Sequence, residues 1–241
     1  MHLNVQDPGV ASSAPQVRVA LEASGLFRGL DAHALGRFER FSRLERVPPR
    51  SSLYVQGEQG TAVFVLIEGS IKLTRSLRGA REHVVRLARP GEVLGESLLF
   101  SDEVYPATAS ALQSSCVLSV VARPFVEELR RVPHLAWNVM QRLGKRIEEL
   151  QTQTDLLATH TAEQKVAAYL SHCYRELQID GAASPIIALA CRRSELASLL
   201  ALAPETLCRV TTEFKRRGWI RSENGQIVVV DADALAAAAP G

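Results

Sequence analysis

The residues best suited to chemistry lie near the C-terminal end of the chain. Glu205, Thr206, Cys208 and Arg209 crowd the first turns of a helix predicted over Pro204–Gly218 by the apolar spacing of Leu207, Val210 and Phe214. That spacing sends the three apolar side chains to one face and leaves the other four largely pointing outward. The N-terminal end of a helix is electropositive. There an arginine can give two hydrogen bonds to guanine O6 and N7, and a glutamate can accept one from cytosine N4. From Cys191 to Arg221, seven basic residues (Arg192, Arg193, Arg209, Lys215, Arg216, Arg217, Arg221) face three acids (Glu195, Glu205, Glu213). A patch of this kind meets phosphate. Cys208 sits beside Arg209 near the same positive end, where both influences lower a thiol pKa and raise reactivity.

These side chains need a scaffold. Arg193–Leu200 reads as a second helix, packed through Leu196, Leu199, Leu200 and Leu202, with a short turn before Pro204. Ile220–Val230 reads as a hairpin around Asn224-Gly225, a strong type I′ turn signal. Two helices, a short turn and a hairpin describe a winged helix-turn-helix. Upstream, Thr161-Ala-Glu-Gln164 has the spacing of a capping box. It opens a helix to about Leu177 that buries Val166, Tyr169, Leu170 and Cys173. A Gly/Pro loop and a short strand fill 178–188, and an Ala-rich helix follows Asp231. The last residues, 236–241, read as a loose end.

The N-terminal half differs. Residues 17–47 read as helical and amphipathic, with Leu21, Leu26, Leu30, Leu35 and Phe38 on the apolar face, until Pro48 and Pro49 stop them. Residues 50–122 alternate short β-rich runs (Ala62–Ile67, Ile71–Thr74, His83–Leu87, Val117–Val121) with Gly57, Gly60, Gly69, Gly79, Gly91 and Gly95, each expected in a turn of positive φ. This pattern suggests a sandwich, barrel or roll. Arg123–Arg131 is a short helix with Pro124 in its first turn. Pro133 opens a longer helix bearing Val139, Leu143, Ile147, Leu150, Thr154 and Leu157, spaced 4, 3, 4, 3 from Leu143 onward. That is a heptad seam with one polar interruption, and its polar flanks predict a parallel homodimer rather than a core helix of one monomer. The domains are a flexible arm (1–16), a β-rich sensor domain (17–131), a dimerisation helix (132–158) and a DNA-binding winged helix-turn-helix (159–236), an α+β chain overall.

Composition bounds the alternatives. Hydrophobic residues make up 46% of the 241, enough to build cores, and the net charge of +2 decides little by itself. No apolar run is long enough to span a bilayer, and the N-terminus lacks a signal-peptide pattern, so a cytoplasmic protein without a membrane partner is expected. Of the four cysteines (Cys116, Cys173, Cys191, Cys208) no two form C-x-x-C, and free thiols are expected. Neither a catalytic triad, nor a phosphate loop, nor Cys/His metal spacing is present, which argues against an enzyme.

The chain resembles the Crp/Fnr family of bacterial transcription regulators from residue 20 to 233. S-E-L-A-S-L-L-A-L-A-P-E-T-L-C-R (194–209) looks like that family's helix-turn-helix signature, G-E-Q-G-T-A-V-F-V-L-I-E-G-S-I-K-L (57–73) like its β-roll core, and P-G-E-V-L-G-E-S-L-L-F (90–100) like its effector-pocket segment. The resemblance implies an N-terminal double-stranded β-helix (jelly roll) of the cyclic-nucleotide-binding kind. It also implies a homodimer on double-stranded DNA, RNA polymerase as a partner, and an effector pocket containing Gly95, Glu96 and Ser97. Glu205 and Arg209 match the family's base-reading pair, which reads a T-G-A-containing half-site of an inverted repeat. Arg193, Thr206, Cys208, Lys215 and Arg216 complete the expected DNA-binding set. Cys208 stands where the Fnr branch usually has Ser, so the thiol is either a redox switch or a plain replacement of similar size. Ala201 replaces the usual turn Gly. Ala203 replaces the usual Ser or Thr N-cap, a loss of ~1 kcal/mol that Pro204 partly offsets.

The resemblance also narrows the signal. In the cyclic-AMP branch an Arg and a Ser follow the Gly-Glu motif by ten and eleven residues and hold the phosphate; Pro106 and Ala107 occupy those positions here. Cyclic AMP is therefore not expected as the ligand. Nor is an iron–sulfur cluster, since residues 1–50 contain no Cys. V-Y-P-A-T-A-S-A (104–111) and I-E-E-L (147–150) look like the Dnr/Nnr-like branch, which points to a redox, oxygen or nitric oxide related signal and to haem as a candidate cofactor. Its axial ligand would come from His33, His83, His134, His160 or His172. The alternative is a cyclic-nucleotide-responsive regulator, or a nucleotide-sensing module that does not bind DNA.

Overall fold

The computed structural model describes residues 14–76, 82–100, 104–159, 161–179, 186–187, 192–223 and 226–239. The chain divides into two compact units at Arg146/Ile147. In chain order the elements of the first unit are α1 (Ala14–Ala23), α2 (Ala32–Glu39), β1 (Ser42–Val47), β2 (Ser52–Tyr54), β3 (Ala62–Glu68), β4 (Ile71–Arg75), β5 (His83–Ala88), β6 (Val93–Leu94), a 3-10 turn (Glu96–Leu99), β7 (Thr108–Ala111), β8 (Ser115–Val121), α3 (Ala122–Arg131) and the start of α4 (Pro133–Thr159).

Two four-stranded antiparallel sheets, ordered β1-β8-β3-β6 and β2-β7-β4-β5, enclose a core of Tyr54, Phe64, Leu66, Ile71, Leu94, Tyr105 and Val117. The central strands of the first sheet, β8 and β3, are buried on both faces. Along β3, Phe64 and Leu66 point between the sheets, whereas Val63 and Val65 point at a layer made by Leu21, Phe27, Phe38, Phe125 and Leu135. Alternate residues of a strand face opposite ways, so a doubly covered strand reads as an unbroken apolar run. Phe38 packs edge-on against Phe27 and Phe125, with ring centroids 4.9 and 5.4 Å apart.

The N-terminal helical segment departs from the sequence reading. Ala14–Gln16, assigned to the arm, form the first turn of α1; residues 1–13 lie outside the described residues. Asp31 caps α2 by accepting from the Ala34 amide at 2.7 Å, and α2 ends at Glu39. Ser42–Val47 is not helix but β1, paired with Ser115–Val120 of β8. The free edge of β8 takes up the backbone groups of β1, a long-range pairing that no local period reveals. Among the turn glycines, Gly57, Gly69, Gly91 and Gly95 do have positive φ. Gly60 serves packing instead, since a Cβ there would collide with the Leu98 side chain. Gly79 lies outside the described residues.

The second unit holds the rest of α4, α5 (Ala162–Ile179), β9 (Ile186–Ile187), α6 (Arg193–Leu199), α7 (Pro204–Arg216), β10 (Ile220–Glu223), β11 (Gln226–Val229) and α8 (Ala232–Ala238). The capping box is formed: the Thr161 amide donates to Gln164 Oε1 at 3.0 Å and the Gln164 amide to Thr161 Oγ1 at 3.3 Å. Val166, Leu170 and Cys173 of α5 pack with Leu196, Leu207, Val210, Phe214 and Leu235 in one core. The hairpin β10–β11 forms as expected, with β9 on its far edge; its Asn224-Gly225 turn lies outside the described residues. Residues 236–238, read as loose, close α8.

Candidate nucleic-acid interface

Helix α7 is set by its buried face. Leu207, Val210 and Phe214 are 1, 9 and 0% exposed, so Glu205, Cys208 and Arg209 face solvent, with Thr206 half-buried. Ala203 supplies no side-chain cap and Pro204 occupies the first turn, as the sequence indicates. The turn before it is tight: the Leu202 amide donates to Ala197 O at 2.8 Å, and Ala201 sits at φ +50°, a left-handed conformation that suits glycine. Arg193, exposed, opens α6. Among the described residues Arg193, Arg209 and Lys215 make no ion pair.

Arg216 is placed differently. Its Nε and Nη2 donate to Glu213 at 2.8 and 2.7 Å, and Arg217 Nε donates to the same carboxylate at 2.7 Å. These two guanidinium groups hold the Glu213 carboxyl down at about 2. Arg217 also reaches Glu163 on α5 at 2.6 Å and lies 4.9 Å above the Trp219 ring. Arg217 is thus a strut from the end of α7 to the start of α5. Sequence reasoning counted it only as a charge; the i, i+3 and i, i+4 spacing from Glu213 was the available signal.

Cys208 is exposed, Cys116 half-buried with its thiol pushed up by burial, and Cys173 fully buried. Cys191 lies outside the described residues.

In the roll, Gly95 (φ +76°) leads into the Glu96–Leu99 turn and packs against Tyr105, where a Cβ would lie 3.2 Å from the ring. Glu96 accepts from Arg86 Nη1 at 3.2 Å, and Ser97 is half-buried beside it. Pro106 is exposed and Ala107 is buried among apolar side chains, so these positions supply neither a cation nor a hydroxyl. Tyr54 and Tyr105 stack at 3.9 Å with an 11° interplanar angle, Phe64 lies 5.8 Å from Tyr54, and Tyr105 O–H donates to Ala62 O at 2.9 Å. Burial pushes both phenols above their ordinary value. The sequence gives no sign of this aromatic filling, because the two tyrosines are far apart in the chain and are brought together by the pairing of β2 with β7 and by the backbone bonds of Gly57 and Glu58 to Tyr105.

The proposed dimer seam needs correction. Val139 is 4% exposed within the chain's own core, and Leu143 packs against the same core. Among the described residues, the large apolar side chains that α4 exposes are Trp137, Met140, Ile147 and Leu150. Thr154 is exposed and donates to Leu150 O at 2.8 Å, while the Leu157 side chain lies outside the described residues. At the helix start the layer of Phe27 and Phe125 claims Val139 and Leu143, whereas Ile147 and Leu150 stay exposed as the heptad spacing implies.

Among the described residues no cluster of three or more His, Cys, Asp or Glu is placed to hold a metal ion. His33 Nδ1 is 2.5 Å from Arg37 Nη1, and the His134 ring lies against Gly29. The Arg37 guanidinium thus lies against one of the two ring nitrogens of His33. His160 lies outside the described residues. No helix among the described residues is long and apolar enough to cross a membrane.

A β-roll followed by a helix-turn-helix with an exposed Glu205/Arg209 face defines a DNA-binding regulator with an N-terminal sensor-type module. Comparison with known proteins agrees. Residues 44–131 match the cyclic nucleotide-binding domain, and 164–238 match the Crp-like helix-turn-helix domain. The chain is 27% identical to the cyclic AMP receptor protein of Thermus thermophilus, over 89% of this chain and 96% of that one. It is 28% identical to the transcriptional activator protein anr of Pseudomonas aeruginosa, over 78 and 77%. FixK2 of Bradyrhizobium japonicum shares the fold with a TM-score of 0.75 at 20% identity, covering 83% of this chain and 98% of that one. The two domains in this order place the chain among the Crp/Fnr-type DNA-binding transcription regulators, whose members are not enzymes.

Proposed function

We propose that the chain acts as a homodimer on an inverted DNA repeat with T-G-A-containing half-sites, and that its roll answers a redox, oxygen or nitric oxide related signal rather than a cyclic nucleotide. The observation that carries the DNA reading is the exposure of Glu205 and Arg209 at the positive end of α7, above a fully packed face. Arg193 and Lys215 flank them as phosphate contacts, and RNA polymerase is the partner a regulator of this class addresses. The exposed stripe Trp137, Met140, Ile147 and Leu150 supports self-association through α4. Ile147→Glu places two carboxylates against each other in that seam. Sedimentation should then show monomer and weak binding to palindromic DNA; a dimeric, folded variant would sink self-association through α4.

A second reading, a cyclic-nucleotide response, is favoured by the domain match over 44–131. The roll interior speaks against it. A buried cyclic phosphate needs a cation and donors, and Pro106 and Ala107 offer neither. On the thiol side, peroxide would oxidise the Cys208 thiolate to sulfenate, with water released and reduction by dithiothreitol restoring the thiol. Fluorescence anisotropy on a palindrome selected from random DNA separates these readings. Cyclic AMP should leave affinity unchanged, whereas a nitric oxide donor or peroxide should weaken or strengthen it. If Cys208 carries the response, Cys208→Ser binds DNA and ignores peroxide. A cyclic AMP response at micromolar concentration would reverse the assignment.

A further inference from the structure

Arg142 projects from α4 toward the turn between β5 and β6, and Gly25 makes room for it. Its Nη1 donates to Gly91 O at 2.8 Å, and a Cβ on Gly25, in the α1–α2 connection, would lie 2.9 Å from Nη2. Burial works against the Arg142 charge and the Glu92 carboxylate supports it. Gly91 (φ +88°) is the corner of the turn between β5 and β6, pinned by its amide to Leu66 O at 2.7 Å and by the Leu66 amide to Glu92 O at 2.9 Å. Glu92, next in the turn, accepts from Arg86 Nε at 3.0 Å. The same Arg86 gives Nη1 to Glu96 at 3.2 Å and to Val93 O at 3.3 Å. Glu96 is thus joined to α4 by a continuous path of polar contacts through Arg86, Glu92, the Gly91 turn and Arg142.

We propose that Arg142 is a positioning residue through which the engagement of Glu96 sets the position of α4. This rests on the reading of Glu96 as part of the effector pocket. A ligand group that takes Glu96 from Arg86 changes the hold of Arg86 on Glu92. That hold fixes the turn whose carbonyl Arg142 grips. Arg142 lies on the same helix as the exposed Trp137 and Met140, so a change at Glu96 reaches the self-association face without a ligand touching α4.

The test needs no effector. Glu96→Gln removes the charge that Arg86 holds while keeping the shape. Arg142→Met keeps the aliphatic stem and removes the donors. Hydrogen exchange of the α4 amides at 137–144 is measured on the full chain for both variants and for the double variant. Glu96→Gln should speed exchange there about fivefold in the otherwise unchanged chain, and hardly at all in the Arg142→Met background. An equal response in both backgrounds, or no response of α4 to Glu96→Gln, overturns the proposal. Should Arg142→Met fail to fold, Gly25→Ala replaces it, because the added methyl meets only the far end of Arg142. Sedimentation on the same samples tells the two failures apart. A monomeric chain with a non-additive cycle refutes the dimer alone, and a dimer with an additive cycle refutes the relay alone.

Discussion

Arginine serves opposite purposes in the two units. In the β-rich unit Arg37 binds Glu128 through Nε and Nη2, Arg86 spans Glu92 and Glu96, and Arg142 donates to the Gly91 carbonyl. In the helix-turn-helix unit Arg193 and Arg209 face solvent with no ion pair among the described residues. Arg216 and Arg217 lie between these extremes, tied to Glu213 at the far end of α7. A guanidinium already committed to a buried carboxylate holds the fold and is costly to redirect. An uncommitted one at the positive end of a helix is free for phosphate and guanine. Partnering, more than the number of positive charges, separates the arginines that hold the fold from those left to solvent.

The contrast can be broken at either end. Arg209→Ala should cost roughly 1–3 kcal/mol of DNA binding per half-site and relax the preference at guanine, while thermal stability stays unchanged. Selection from random DNA followed by anisotropy measures both; an unchanged consensus contradicts the base-reading role. The mirror experiment is Glu128→Ala. Its carboxylate is 5% exposed and its partner Arg37 26% exposed, so the loss in urea unfolding should be about 2 kcal/mol, with DNA affinity of the folded chain unaffected. Arg37 holds the Glu128 carboxyl below its ordinary 4.5. That contribution is therefore present above the unfolded value and is lost as pH falls through the lower folded one.

Smaller effects sharpen the comparison. Ala201→Gly relieves the left-handed turn and should stabilise the chain by about 1 kcal/mol without altering the DNA consensus. A loss of stability on calorimetry would contradict strain at this turn. Glu213 should titrate with a midpoint near 2 in carboxyl-resolved NMR, since Arg216 and Arg217 both hold its charged form. A midpoint near 4.5 would mean that Arg216 is as free as Arg209, and the intermediate class would disappear.

What could be read without the structure was local. The faces of α7 follow from three apolar residues at helical spacing, the start of α5 from Thr161 and Gln164, and the missing cap at Ala203 from its side chain alone. Strands β3, β4, β5 and β8 follow from β-rich runs between turn glycines. In each case the deciding interaction lies within a few residues, so residue order determines it. Other features needed partners distant in the chain. Ser42–Val47 became a strand because β8 had a free edge. Val139 and Leu143 turned inward because Phe27 and Phe125 claimed that side of α4, leaving Trp137 and Met140 outside. The roll interior was filled by Tyr54 and Tyr105, brought together by sheet pairing. Arg86 and Arg142 could not be told from surface charges until Glu92, Glu96 and Gly91 were placed beside them. A helical period shows that a helix has two faces, but which face is buried, and which charge is already paired, depends on what folds against it.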